Sequence, residues 1–157
     1  MDHTSLPRRS GPRPRTTDTN PHSQLDQHPP ASVIEALCSR LFALPGVIEH
    51  PSAVSVPGAR ALRLLPEAVN GPREAFMIST EFAHVHPLPD GSLHVALPPE
   101  VAQEVIRQGW GEQHPVAKRG LIPANVCMVY APRDENEIEI VTGLVAATLR
   151  FASGIQA

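Results

Sequence analysis

Cysteine, aromatic residues and positive charge are all scarce in this chain of 157 residues. Its two cysteines, Cys38 and Cys127, cannot build a disulfide framework. Both lie in apolar runs (IEALCSRLF and VCMVYA), which reads as buried thiols in a reducing, cytoplasmic compartment. Lys and Arg number 13 against 16 Asp and Glu, a formal charge of −3. Without a basic excess, nucleic acid is not an expected partner. No apolar run approaches the roughly 18–20 residues that a membrane-spanning helix needs. Phe, Tyr and Trp make up only 4% of the chain, little material for a large stacking pocket. G-x-G-x-x-G, P-loop, G-x-S-x-G and C-x-x-C patterns are absent, so nucleotide, acyl-serine and thiol-redox chemistry are not signalled.

Proline is abundant instead, with 18 residues, six of them within the first 30. That stretch also holds Arg8, Arg9, Arg13 and Arg15, and its only leucines, Leu6 and Leu25, are isolated. So little apolar surface cannot offset the entropy of ordering, and residues 1–30 read as a disordered Pro/Arg-rich tail. Residues 31–157 read as one domain, long enough to bury its own core.

A first helix is expected from the capping box Ser32/Glu35 and the apolar positions Val33, Ile34, Leu37 and Leu41, ending at Pro45-Gly46. Two short strands follow, Ala53–Val56 and Ala61–Leu65, around Pro57-Gly58. A longer strand from about Ala75 to His86 turns at Leu88–Gly91 and returns as Ser92–Leu97. Pro98-Pro99 opens a second helix with Val101, Val105 and Ile106 on one face and Gly109 as its C′ residue. After a loop at Trp110–Pro123 come a strand, Val126–Ala131, and a last helix capped by Asp134 with Glu137 at N3. The order α-β-β-β-β-α-β-α predicts an α+β domain. Its sheet is mostly antiparallel, of about four to five strands, with helices packed on one face.

The candidate site lies in the histidines. Four of the domain's five, His84, His86, His94 and His114, fall within 31 residues. Residues i and i+2 of a strand share a face, so His84 and His86 point the same way, together with Phe82. Leu-Pro-Asp-Gly reads as a type I turn with a G1 bulge, which pairs Leu88 with Ser92 and sets His86 opposite His94. His114 can return over that face from the loop beyond the helix.

Clustered imidazoles have three readings. Three neutral imidazoles with an open position, His84, His86 and His94, suit a divalent transition metal. A histidine titrating near neutrality suits acid–base chemistry on a substrate hydroxyl. The third reading is a set of hydrogen-bonded, partly exposed side chains on a polar sheet face. Trp110 between two glycines is either a ligand wall or a plug at the helix end. Arg133 either anchors an anion or pairs with an acid such as Glu135. Glu81 falls on the apolar side of its strand, so it has a partner there or the register differs. Asp90 reads as a turn residue.

The segments Glu81-Phe82-Ala83-His84-Val85-His86, Ser92-Leu93-His94-Val95-Ala96-Leu97 and Gly109-Trp110-Gly111-Glu112-Gln113-His114-Pro115, closed by Tyr130-Ala131-Pro132-Arg133-Asp134-Glu135-Asn136-Glu137, resemble the luciferase domain of fungal luciferases. The resemblance is good over about 75–153 and loose over 32–74, and it extends to bacterial relatives. It implies a small-molecule oxygenase or a related proton-transfer enzyme, acting with O2 on an enolisable, pyrone-type substrate and requiring no organic cofactor. The alternatives are a metal-dependent enzyme on the same histidines, with a divalent metal, or a non-catalytic small-molecule or metal-binding module. It implies a pocket lined by His84, His86, His94 and His114 as the acid–base or ligand set. Trp110, Tyr130, Arg133 and Phe82 would be substrate-binding residues. The expected partners are a small-molecule substrate and O2.

Overall fold

A computed structural model describes residues 6–155. Six strands form one wholly antiparallel sheet in the order β1-β2-β3-β4-β6-β5: β1 Val47–Pro51, β2 Arg60–Leu64, β3 Glu81–Val85, β4 Leu93–Ala96, β5 Gly111–Gln113 and β6 Val126–Val129. Four helices accompany it: α1 Ala31–Phe42, α2 Pro99–Arg107, the short α3 Pro115–Lys118 and α4 Glu135–Ala152. The α+β class and the antiparallel sheet match the sequence reading. The strand count is slightly higher, because the Trp110–Pro123 loop contributes an edge strand and a helical turn.

Alternation along the strands decides which face is which. Leu62, Ala83, Val95 and Cys127 lie in register across four strands and face the core, as do Val85, Leu93 and Val129. There they meet Leu37 and Leu41 of α1, Val101 and Val105 of α2, and Val141 and Leu144 of α4. The adjacent row, His50–Ala61–His84–His94–Met128–Glu112, crosses all six strands and faces the other way. One row of the ladder thus aims His84, His94 and Glu112 at a common space, while His50 is exposed at its edge.

Several elements depart from expectation. The Ser32 capping box does not form; Pro30 precedes α1 and no side chain caps it. The first strand lies at Val47–Pro51, not Ala53–Val56, and Ile106 of α2 is exposed. The long strand from Ala75 is shortened to Glu81–Val85, because Arg73–Ala75 is a 3-10 turn and Ser79 takes φ +50°. The expected caps at α2 and α4 do form: Gly109 has φ +84°, and Asp134 accepts from the Glu137 amide.

The N-terminal segment differs most. Its first five residues lie outside the described residues, and residues 6–30 pack on the domain. Leu6 joins the core. The remaining attachments are polar: Trp110 Nε1 donates to the Pro7 carbonyl, the Ala131 amide donates to Gln24 Oε1, and Thr16 Oγ1 donates to Glu112. Composition weighs apolar area, whereas this segment is held mainly by buried hydrogen bonds to groups elsewhere in the fold.

Candidate functional site

The four expected histidines are brought together. The β3–β4 register sets His84 opposite His94, while the His86 amide bonds to the Ser92 carbonyl. Pairing is therefore shifted by two residues from the tight-turn expectation, with Pro87–Gly91 as the connection. A shift of two preserves the face, so His84, His86 and His94 still point together. All three are at most 5% exposed and His114 is 8% exposed, so they line an interior site, not a solvated sheet face.

A fifth imidazole arrives from the N-terminal segment. His22, 2% exposed, has Nδ1 2.9 Å from His94 Nε2 and Nε2 2.8 Å from Glu112 Oε2. Nothing in the local sequence singles out His22. Glu112 joins the histidine row only through the pairing of β5 with β6, which sets it opposite Met128.

A carboxylate stands at each end of the imidazole chain. Glu112 also accepts from Tyr130 Oη (2.8 Å), Arg13 (2.6 Å) and Thr16 Oγ1 (2.9 Å). Burial opposes its charge, but hydrogen bonds from His22, Arg13, Tyr130 and Thr16 outweigh burial and hold the carboxyl at about 2. At the other end Glu81 Oε2 lies 2.9 Å from His84 Nδ1, with Ser52 Oγ (2.8 Å) and the Ala53 amide (3.1 Å) also donating to Glu81. Burial opposes that charge as well, and these donors outweigh it, so its pKa is lowered.

A bulge puts Glu81 there. The β2–β3 register slips between Leu62 and Arg63, making Phe82 the extra residue. The slip turns Glu81 to the histidine side and Phe82, fully buried, into the core.

Burial, reinforced by neighbouring imidazoles, lowers His86 to about 4, His94 well below its usual value and His114 to about 4. These three are neutral at pH 7, and their partners assign the tautomers. His84 Nδ1 donates to the ionised Glu81 carboxylate, so in the neutral ring Nε2 is the lone pair. Ser92 Oγ donates to Asp90 and therefore accepts from His86 Nδ1 (2.9 Å), leaving His86 Nε2 a lone pair. With His22 Nε2–H donating to Glu112, a neutral His22 accepts from His94 Nε2–H, and His94 Nδ1 is the third lone pair. His94 Nδ1 lies 3.1 Å from His84 Nε2 and 3.1 Å from His86 Nε2. His114 is the opposite case: its Nδ1 accepts from the Val116 amide (3.0 Å), so Nε2 bears the proton.

The imidazoles floor a cavity of about 600 Å³, walled by Val54, Val56, Met77, Leu88, Val116 and Ile122. The other four candidates line no part of it. Phe82 is in the core, and Trp110 is buried with its indole N–H on Pro7. Tyr130 stands behind Glu112, and Arg133 is paired with Glu137 and Ser10. Asp90 is more than a turn residue, since it orients Ser92 and through it His86.

The family model for the luciferase domain matches residues 79–148, which span the bulge, the three sheet histidines, His114 and most of α4. Residues 79–148 are a luciferase domain. Similarity extends further along the chain: it is 33% identical over 161 residues to a luciferase of Armillaria gallica, covering 93% of this chain and 60% of that protein. A luciferase of Armillaria mellea is 32% identical with the same coverage. One of Neonothopanus nambi is 35% identical over 102 residues, covering 59% of this chain and 38% of that protein. The chain thus spans about 60% of the length of the Armillaria relatives. No solved structure gives a significant match. Among the described residues, no helix is long and apolar enough to cross a membrane.

Proposed function

We propose that this luciferase-domain protein is a small-molecule oxygenase, joining O2 to an enolisable, pyrone-type substrate held over the histidine floor. The observation that carries this reading is the meeting of three imidazole lone pairs, on His84, His86 and His94, beneath an apolar-walled cavity. Burial and mutual proximity keep His86 and His94 free of protons at neutral pH, so their lone pairs are available to accept one from a bound enol. The enol hydroxyl of a bound ring loses its proton to this trio. The positive charge so formed stays opposite the enolate oxygen. His114 Nε2–H is a neutral donor for the same oxygen. The enolate carbon then gives an electron pair to O2 and a C–O bond forms. Carbon is oxidised, O2 is reduced to the peroxide level, and the trio's proton ends on the peroxide. The aliphatic part of the wall, Val54, Val56, Val116 and Ile122, offers the peroxide no competing hydrogen bonds.

Names of the fungal relatives support the reaction class, and a cavity of this size suits a substrate of one or two rings. Oxygen-electrode measurements with a panel of hydroxypyrones test the reading. One O2 consumed per substrate is expected, with His86→Gln and His114→Gln each lowering kcat about 10²–10⁴-fold. Binding of the pyrones without O2 uptake would overturn the oxygenase assignment.

A further inference from the structure

We propose that His84 Nε2, His86 Nε2 and His94 Nδ1 form a binding site for one divalent transition-metal ion. Three independent features of the site converge on this. The first is spacing. Metal–imidazole bonds of about 2.1 Å place neighbouring nitrogens about 3.0 Å apart on an octahedral ion and about 3.4 Å apart on a tetrahedral one. The two contacts made by His94 Nδ1 are both 3.1 Å.

The second feature is the far side of each ring. A metal-binding histidine is ordinarily oriented by an acceptor on its other nitrogen. All three have one: Glu81 on His84, the Ser92–Asp90 pair on His86, and His22, backed by Glu112, on His94. Each partner directs the proton outward and the lone pair inward. The third is access: the three rings floor the cavity, leaving an ion's remaining positions open to a ligand. An all-nitrogen set selects Zn, Fe, Co, Ni or Cu and disfavours the oxygen-seeking Mg and Ca.

A second triad, His22, His94 and His114, also brings three ring nitrogens close together. Its protons tell against it. His94 Nε2 and His22 Nδ1 already share one across 2.9 Å, and the Val116 amide leaves the proton of His114 on Nε2. His94 belongs to both triads, so the discriminating residues are His84 and His86 against His114. The ion site is a property of the three nitrogens and goes beyond the substrate reading. When filled, it supplies the positive charge opposite an enolate that a shared proton supplies otherwise.

Titration of the full chain, stripped with chelator and dialysed, with Co²⁺ tests the site by calorimetry and visible absorption. One equivalent is expected, with ligand-field bands that report nitrogen coordination. His84→Gln and His86→Gln each abolish it; His114→Gln leaves it unchanged; Glu81→Gln, which keeps all three ligands, weakens it about 10–100-fold. The wild-type spectrum stands whether or not a variant folds. Folded wild-type protein that takes up no Co²⁺, or binding lost in His114→Gln and kept in His84→Gln, would overturn the proposal. Neither measurement needs substrate, so failure of ion binding and failure of oxygenase turnover are read separately.

Discussion

His22 Nε2 donates to Glu112 Oε2 across 2.8 Å, although the two residues are 90 positions apart, and both groups are buried. This bond ties the N-terminal segment to the edge strand β5 and fixes the tautomer of His94 through the His22 ring. His22→Ala leaves Glu112 short of a donor and His94 Nε2 short of its partner. A buried polar group left unpaired costs about 1–3 kcal/mol. Urea unfolding of the full chain should show that loss. An unchanged midpoint would mean the pair contributes nothing to the fold.

Glycine at 111 is required by close approach. A Cβ there would lie 2.2 Å from the Met128 carbonyl oxygen and 2.9 Å from Val105 Cγ1. Gly111→Ala must push β5 off β6 or tilt α2, costing about 1–3 kcal/mol or more, and displaces Glu112 beside it. Gly120→Ala is the comparison. Gly120 has φ +76° with open space around it, so only backbone strain of about 1 kcal/mol applies. Thermal unfolding of the two variants should separate them, with Gly111→Ala the less stable.

Phe82 is fully buried in the core and lines no part of the cavity. Phe82→Ala should cost about 3–5 kcal/mol of stability. Protein that remains folded should keep its KM. Val56→Ala, on the cavity wall, should raise KM with a much smaller stability loss. Steady-state kinetics beside denaturant titration distinguishes the two residues; a raised KM for folded Phe82→Ala would restore that residue to the substrate site.

The pH dependence of stability has a defined sign. His86 and His114 titrate at about 4 in the folded chain, below the usual 6.5, so the unfolded chain binds more protons between those values. Stability is therefore full above about 6.5 and falls as the pH drops toward about 4. Glu112, at about 2 folded against 4.5 ordinarily, extends the loss from about 4.5 down to about 2. Melting temperatures should decline steadily below pH 6.5. A flat profile between 6.5 and 4 would contradict neutral buried imidazoles. His86→Gln should make the upper part of the decline shallower.

Local signals carried the helices α2 and α4, the strands about His84 and His94, and the face shared by the sheet histidines. Each depends on neighbours a few residues away: Pro at a first turn, Asp at an N-cap, alternation along a strand. The hairpin register lies two residues from the one that the turn predicts, and period-two alternation leaves the face unchanged. Phe82 and Glu81 exchange faces for the opposite reason. A bulge slips the period by one, and one is enough to send each side chain to the other face.

Alternation and turn chemistry are short-range, and they suffice for an α+β chain with a cluster of imidazoles on one sheet face. Tertiary structure alone decided that His22 and Glu112 complete the site, that Trp110, Tyr130 and Arg133 stand outside the cavity, and that residues 6–30 are part of the fold. Those outcomes rest on hydrogen bonds between groups far apart in the chain, such as His22 to Glu112 and Gln24 to the Ala131 amide. A buried donor takes the partner that folding brings near, and composition holds no record of that distance.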